Sequence, residues 1–208
     1  MTAERAGAVR QRRRASNWNI ANALTTLRIV AVPFFGWALL IDDGRSAGWR
    51  WVAWTVFALA MVTDKIDGDL ARKHDLVTDF GKIADPIADK ALTGMAFVGL
   101  SVIDELWWWV TAVVLLREWG ITLMRLWLVR TGVVLPAGQG GKLKTVVQTI
   151  ALGGLIIPLR MFPGPLDPVG EALWWVAVTL MGIAVALTVV TGADYVRQTL
   201  AARREQLS

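Results

Sequence analysis

The chain has 208 residues, 55% of them hydrophobic, with twelve Trp, one Tyr, one His, no Cys and a formal net charge of +5. Without Cys there is no disulfide, no thiolate nucleophile and no thiolate metal site. The apolar residues are gathered into long runs, which excludes an ordinary soluble domain. A helix that crosses a bilayer needs about 20 largely apolar residues, and six stretches come close to that, so the expected fold class is all-α: a polytopic membrane protein of six transmembrane helices.

Residues 1–16 are polar and basic and are expected to form a cytoplasmic arm, either disordered or lying as an interfacial helix. An Arg cluster just before a first span reads as an anchor to anionic lipid and not as a nucleic-acid site. It is not expected to belong to a signal peptide, because the apolar run after it is long, is interrupted by Arg28 and lacks a small-residue cleavage site. The transmembrane domain is expected over residues 17–200, with a cytoplasmic tail at 201–208. Its first span runs from Ile20 to Ile41 and is followed by an outer turn from Asp42 to Gly48. The second span is Trp49 to Thr63 and leads into an inner loop, Asp69 to Phe80. The third, Ile83 to Ile103, ends at an outer turn holding Asp104 and Glu105. The fourth, Trp107 to Val129, leads into the inner loop Thr131 to Gly141. The fifth, Val146 to Ile157, is separated from the sixth, Ala172 to Thr191, by the outer turn Met161 to Gly170, where Pro163, Pro165 and Pro168 stop any helix.

With the N-terminus inside, the inner segments hold fifteen Lys and Arg, whereas the outer loops hold only Arg45, Arg50 and Arg160. A bias of that size places both termini in the cytoplasm. The Trp runs at Trp49 to Trp54, Trp107 to Trp109 and Trp174 to Trp175 then fall at the outer interface as an aromatic belt.

Chemistry is expected on the inner side, where Asp64, Asp67, Asp85 and Asp89 flank the second inner segment. A carboxylate at membrane depth costs at least ~2.5 kcal/mol and marks function by default. Asp64 and Asp67 are three apart and Asp85 and Asp89 four apart, so on helices each pair shares a face. Two such faces opposed make a cage of oxygen donors suited to a hard divalent cation such as Mg²⁺ or Mn²⁺. The bland alternatives are an N-cap at Asp85, with Pro86 at the first helical position, and a frayed helix end at Asp64 and Asp67. Gly68, lacking a Cβ, allows a phosphate or base close to the backbone.

The spacing D-x2-D-G-x2-A-R-x8-G-x3-D-x3-D, met by Asp64, Asp67, Gly68, Ala71, Arg72, Gly81, Asp85 and Asp89, resembles the signature of the CDP-alcohol phosphotransferase family. The resemblance implies six transmembrane helices, a homodimer and displacement of CMP from a CDP-linked lipid by an alcohol. It implies that Asp64, Asp67 and Asp85 are ligands of two Mg²⁺ or Mn²⁺ ions and that Asp89 is both a ligand and the general base. Gly68, Ala71 and Arg72 resemble the cradle of the cytidine and diphosphate, with Gly81, Asn22, Thr25 and Arg28 added to the CDP-lipid site. Arg28 is left with two roles, pairing with the acidic cage or touching the nucleotide phosphates.

Further residues resemble the branch of the family that joins CDP-diacylglycerol to glycerol 3-phosphate: the opening Asn19 to Arg28, the run Asp85-Pro86-Ile-Ala88-Asp89-Lys90, Arg117-Glu118, and Gly141 to Gln148. A phosphate-bearing acceptor needs fixed cations, and Arg suits bidentate phosphate contact. Arg117, Lys142 and Lys144 are the candidates. Arg117 lies inside an apolar span and needs Glu118, a motif Asp or the substrate as its partner, whereas positive-inside flanking alone also accounts for the two lysines. Sister branches accept phosphatidylglycerol or an inositol phosphate, and the acidic motif does not separate them. A cation transporter is the remote reading, and the outer half of the third span continues no acidic path for it.

Overall fold

A computed structural model describes residues 20–73, 79–130, 140–162 and 167–207. It contains six α-helices, α1 (Ile20–Leu40), α2 (Ala47–Lys73), α3 (Asp79–Val102), α4 (Trp108–Arg130), α5 (Gly140–Ile156) and α6 (Asp167–Leu207), and no strand among the described residues. The basic arm at 1–16 and His74 lie outside the described residues.

Two helices reach further into the expected inner loop than their apolar runs suggest. α2 continues ten residues beyond Thr63 to Lys73, and α3 begins at Asp79, so Pro86 stands inside α3. The reading of Asp85 as an N-cap is thereby corrected: the helix is already two turns old there, and Asp85 presents its carboxylate sideways. α6 is 41 residues long and continues past residue 200. At 1.5 Å per residue it spans about 60 Å, twice the ~30 Å of a hydrocarbon core.

Three helical segments, Asn22–Gly44, Leu143–Met161 and Asp167–Ala201, are long and apolar enough to cross a membrane by length and composition. α2, α3 and α4 are long enough, at 27, 24 and 23 residues, but carry more charge. Their charges include Asp64, Asp85, Asp89, Lys90, Arg117 and Glu118, the residues singled out for chemistry.

α1 packs along both α2 and α3, and α5 along α6. The core fills with Phe35 and Leu39 of α1, Phe57 of α2, Leu92, Phe97 and Leu100 of α3, Val114 of α4, and Leu152 and Leu155 of α5. The outside is apolar as well: Leu27, Val30, Leu123 and Val190 stand exposed and Leu116 is 74% exposed. A surface this apolar around the helices suits lipid as its solvent.

The end of the bundle expected to face outward is closed by a residue expected in a loop. Arg50 lies within α2 and is 3% exposed. Its Nε and Nη2 donate to the carbonyls of Ile156 (3.1 Å) and Leu155 (2.6 Å) at the end of α5, and its Nη1 donates to Glu105 (2.8 Å). One guanidinium thus satisfies two orphan carbonyls of a helix terminus and neutralises one carboxylate. Glu105 also accepts from Trp174 Nε1 (3.0 Å), and Arg160 stacks over that indole at 4.4 Å while its Nε donates to Glu171. Trp37 and Trp49, with ring centroids 4.7 Å apart, and the exposed Trp107, Trp108 and Trp109 lie toward the same end, as an aromatic belt requires.

Close helix approach in lipid depends on small residues. A Cβ on Gly154 of α5 would stand 2.8 Å from the Cβ of Ala177 on α6, an atom fixed to the backbone. Gly154→Leu should therefore part α5 from α6, at a cost of about 1–3 kcal/mol, and lower the thermal unfolding midpoint of the detergent-solubilised protein; an unchanged midpoint would mean that the two helices do not pack this tightly.

Candidate active site

Successive helices run in alternating directions, so the beginnings of α1, α3 and α5 and the later halves of α2, α4 and α6 meet at one end. That end holds every charged residue expected to do chemistry that the structure describes.

The site is organised from α1. Asn22, Thr25 and Arg28 recur every three residues and share one face, and all three are buried, Arg28 to 2% exposure. Polar groups buried in an apolar helix need partners, and α1 finds them on two neighbours: Arg28 Nη1 donates to Asp64 Oδ1 of α2, and Thr25 Oγ1 donates to Asp85 Oδ1 of α3. Thr25 and Arg28 are about 4.5 Å apart along the axis, so the two carboxylates are drawn to neighbouring points on one helix. Pairing with the acidic group is one of the two roles open to Arg28. The Asp64 side chain stays 38% exposed. Asp89, one turn beyond Asp85, is half-buried; its backbone carbonyl accepts from Thr93 (2.8 Å), and its carboxylate has no hydrogen-bond partner among the described residues.

Asp67, Gly68, Ala71 and Arg72 fall on α2, Gly81 on α3 and Lys142 on α5, and their side chains lie outside the described residues. Among the described residues, no three Asp, Glu or His are already arranged to hold a metal ion. The donor chemistry nevertheless fits a hard divalent cation: Asp64 and Asp85 are brought together by α1 and both are carboxylates, and the chain has no Cys.

A second group lies where α3, α4, α5 and α6 approach one another. Lys144 of α5 is 3% exposed and donates to Glu118 Oε1 of α4. Arg117 Nη1 donates to the same oxygen (3.0 Å) and its Nη2 donates to Thr191 Oγ1 of α6 (2.9 Å). Lys90 of α3 donates to Thr122 Oγ1 (2.8 Å) and stands 3.7 Å from Glu118 Oε2. Of the partners open to Arg117, Glu118 is the one found. Lys144 is no simple flanking residue, since such a lysine would reach toward the headgroups. Arg125 faces outward over the Tyr195 ring at 5.7 Å.

Sequence reasoning missed the roles of Lys90, Thr122, Thr191 and Gly192. A Cβ on Gly192 would stand 3.2 Å from Arg117 Cγ, so this glycine makes room for the guanidinium. Lys90 was legible in principle, as a cation beside Asp89 inside an apolar run. Thr122, Thr191 and Gly192 carry no such signal, because small and hydroxyl residues are common throughout membrane helices.

The chain matches the family model described as CDP-alcohol phosphatidyltransferase over residues 18–190. It is 48% identical over 187 residues to a probable phosphatidylglycerophosphate synthase of Mycobacterium tuberculosis, an alignment covering 90% of this chain and 84% of the relative. It is 35% identical to the CDP-diacylglycerol--glycerol-3-phosphate 3-phosphatidyltransferase of Bacillus subtilis, covering 86% and 93% of the two chains, and 36% identical to the protein of that name in Rickettsia felis, covering 85% and 93%.

The hold of α1 on Asp85 can be tested alone. Thr25→Val keeps the shape and removes the hydroxyl, and a hydrogen bond to a charged group contributes about 1.5–3 kcal/mol. Turnover should fall roughly ten- to hundredfold and Thr25→Ser should restore most of it; Thr25→Val with wild-type turnover would show that Asp85 does not depend on α1.

Proposed function

The chain belongs to the CDP-alcohol phosphatidyltransferase family, and on that premise we propose that it transfers the phosphatidyl group of CDP-diacylglycerol to glycerol 3-phosphate, giving phosphatidylglycerophosphate and CMP. The names of its relatives support this donor and acceptor. The observation that carries the acceptor assignment is the partly buried basic group of Arg117, Lys144 and Lys90, the last on the aspartate-bearing α3. A free phosphate monoester needs such a group, whereas the bulky lipid acceptor of a sister branch would expose most of it to acyl chain.

In the reaction, an acceptor hydroxyl oxygen forms a bond to the lipid-side phosphorus, the bond from that phosphorus to the bridging oxygen breaks, and the bridging oxygen leaves with CMP. Asp89 is positioned to take the hydroxyl proton, being a half-buried carboxylate one turn from Asp85 and adjacent in sequence to Lys90 of the acceptor group. Asp64, Asp67, Asp85 and Asp89 would hold two Mg²⁺ or Mn²⁺ ions, which when bound neutralise the diphosphate and the leaving group. Gly68, Ala71, Arg72, Gly81 and Asn22 line the donor's cytidine and diphosphate, with Thr25 and Arg28 acting from α1 by fixing Asp85 and Asp64. Lys142 joins the acceptor group at the mouth of α5.

α2, α3 and α4 complete six crossings, with residues 17–200 as the catalytic domain and 1–16 and 201–208 as cytoplasmic flanks. The enzyme sits in the plasma membrane as a homodimer, with its termini and site on the cytoplasmic face, where the basic residues accumulate.

The assignment is tested by CMP release from CDP-diacylglycerol in the presence of Mg²⁺, with glycerol 3-phosphate, phosphatidylglycerol or inositol 1-phosphate offered in turn. Turnover is expected with glycerol 3-phosphate alone and is expected to fall by about 10²–10⁴ in Asp89→Asn. Turnover only with another acceptor moves the enzyme to a sister branch, and none with any acceptor defeats the enzymatic reading.

A further inference from the structure

Glu118 has no part in the reaction just described, yet it is the centre of the acceptor group. Three cations from three helices converge on its carboxylate: Lys90 from α3, Arg117 from α4 and Lys144 from α5. We propose that Glu118 is a positioning residue that gathers these cations into one binding group for a phosphate dianion, and so sets the preference for an acceptor bearing a phosphate monoester over one bearing a phosphodiester. This rests on the reading that the acceptor carries a phosphate.

Charge and geometry carry the inference together. The three cations outnumber the one carboxylate they share, which favours the more highly charged acceptor: a phosphate monoester, whose second pKa is about 6, is a dianion near neutral pH, whereas a phosphodiester carries a single charge. Like charges this close repel strongly in a partly buried site, and a lysine on its four-carbon stem readily swings away. Glu118 removes that tendency without using up the donors. Lys90 and Lys144 each have three N–H donors and Arg117 has five. Lys90 spends one on Thr122 and Lys144 one on Glu118, while Arg117 spends two, on Glu118 and Thr191.

Among the described residues, the buried Nε of Arg117 and Oε1 of Gln148 have no hydrogen-bond partner, and Gln148 stands one turn beyond Lys144 on the same helix. A buried donor and a buried acceptor left unmade beside a cationic group suit a ligand that brings both phosphate oxygens and a hydroxyl. The remaining Lys90 surface faces Trp119, 5.9 Å from its ring centroid, which limits how far this lysine can stray.

The experiment is steady-state kinetics on the full solubilised chain with Mg²⁺, varying glycerol 3-phosphate and CDP-diacylglycerol separately, for wild type, Glu118→Gln and Glu118→Asp. Glu118→Gln is expected to raise the KM for glycerol 3-phosphate roughly tenfold or more, the scale of one lost charge-assisted contact. The KM for CDP-diacylglycerol should stay within about twofold of wild type, and Glu118→Asp should recover part of the loss. A purely structural ion pair would instead lower the thermal midpoint and shift both KM values alike, and that result overturns the proposal. Should Glu118→Gln fail to fold, Lys90→Gln carries the same expectation, and an unmoved KM for glycerol 3-phosphate in it is equally fatal. Wild-type enzyme that uses only phosphatidylglycerol defeats both this inference and the acceptor assignment, whereas wild-type turnover of glycerol 3-phosphate with an unmoved KM in Glu118→Gln defeats the positioning role alone.

Discussion

The buried guanidinium of Arg28 on the Asp64 carboxylate is the contact around which the rest of the bundle is arranged. A cation in the middle of an apolar helix is costly unless paired, and Arg28 pairs across to α2 while Thr25, one turn away, holds α3 through Asp85. α1 therefore does two things with one face. It offsets its own polar residues, and it brings two carboxylates from different helices to neighbouring positions. The aspartate motif is a sequence pattern spread over α2 and α3, but its convergence is determined by a helix outside the motif.

The two ends of the bundle solve opposite problems. At one end Arg50 spends three donors on two helix-terminal carbonyls and on Glu105, so its charge is met within the protein. At the other end the cations around Glu118 outnumber their carboxylate, and Asp64 stays partly exposed. Both clusters are small ion-pair networks of similar composition. The first is balanced and closed, which suits a structural fastening; the second carries surplus charge, which suits the binding of an anion.

Much of this was legible in the sequence. Six helices, the grouping of charge at one end and the candidate aspartates follow from apolar runs, from spacing and from the bias of Lys and Arg. The extents of α2 and α3 were not, because hydropathy falls where Asp64 and Asp85 enter, although the helices continue: a hydropathy pattern reports where lipid is, and a helix persists wherever its backbone is satisfied. Arg50 was misplaced for a related reason. A lone Arg beside Trp49 looks like an outer-loop residue, and only the juxtaposition with Glu105 and the end of α5 turns it inward. The partners Thr122, Thr191 and Gly192 are tertiary facts, dictated by which helix lies beside which.

The division between three apolar helices and three charged ones bears on how the protein reaches its membrane. Each Asp, Lys or Arg near the middle of a span adds about 2.5–3.5 kcal/mol to its transfer into lipid, so α2, α3 and α4 are poor candidates for independent insertion. α1, which precedes them in the chain, is one of the three strongly apolar helices, and it arrives carrying Arg28 and Thr25 as ready partners for the carboxylates that follow. Biogenesis is then better pictured as a relay than as six separate partitionings. An early apolar helix shelters the charges of the next two, and α5 and α6 later enclose those of α4. On this picture the residues that assemble the catalytic end are also chaperones of the nascent chain.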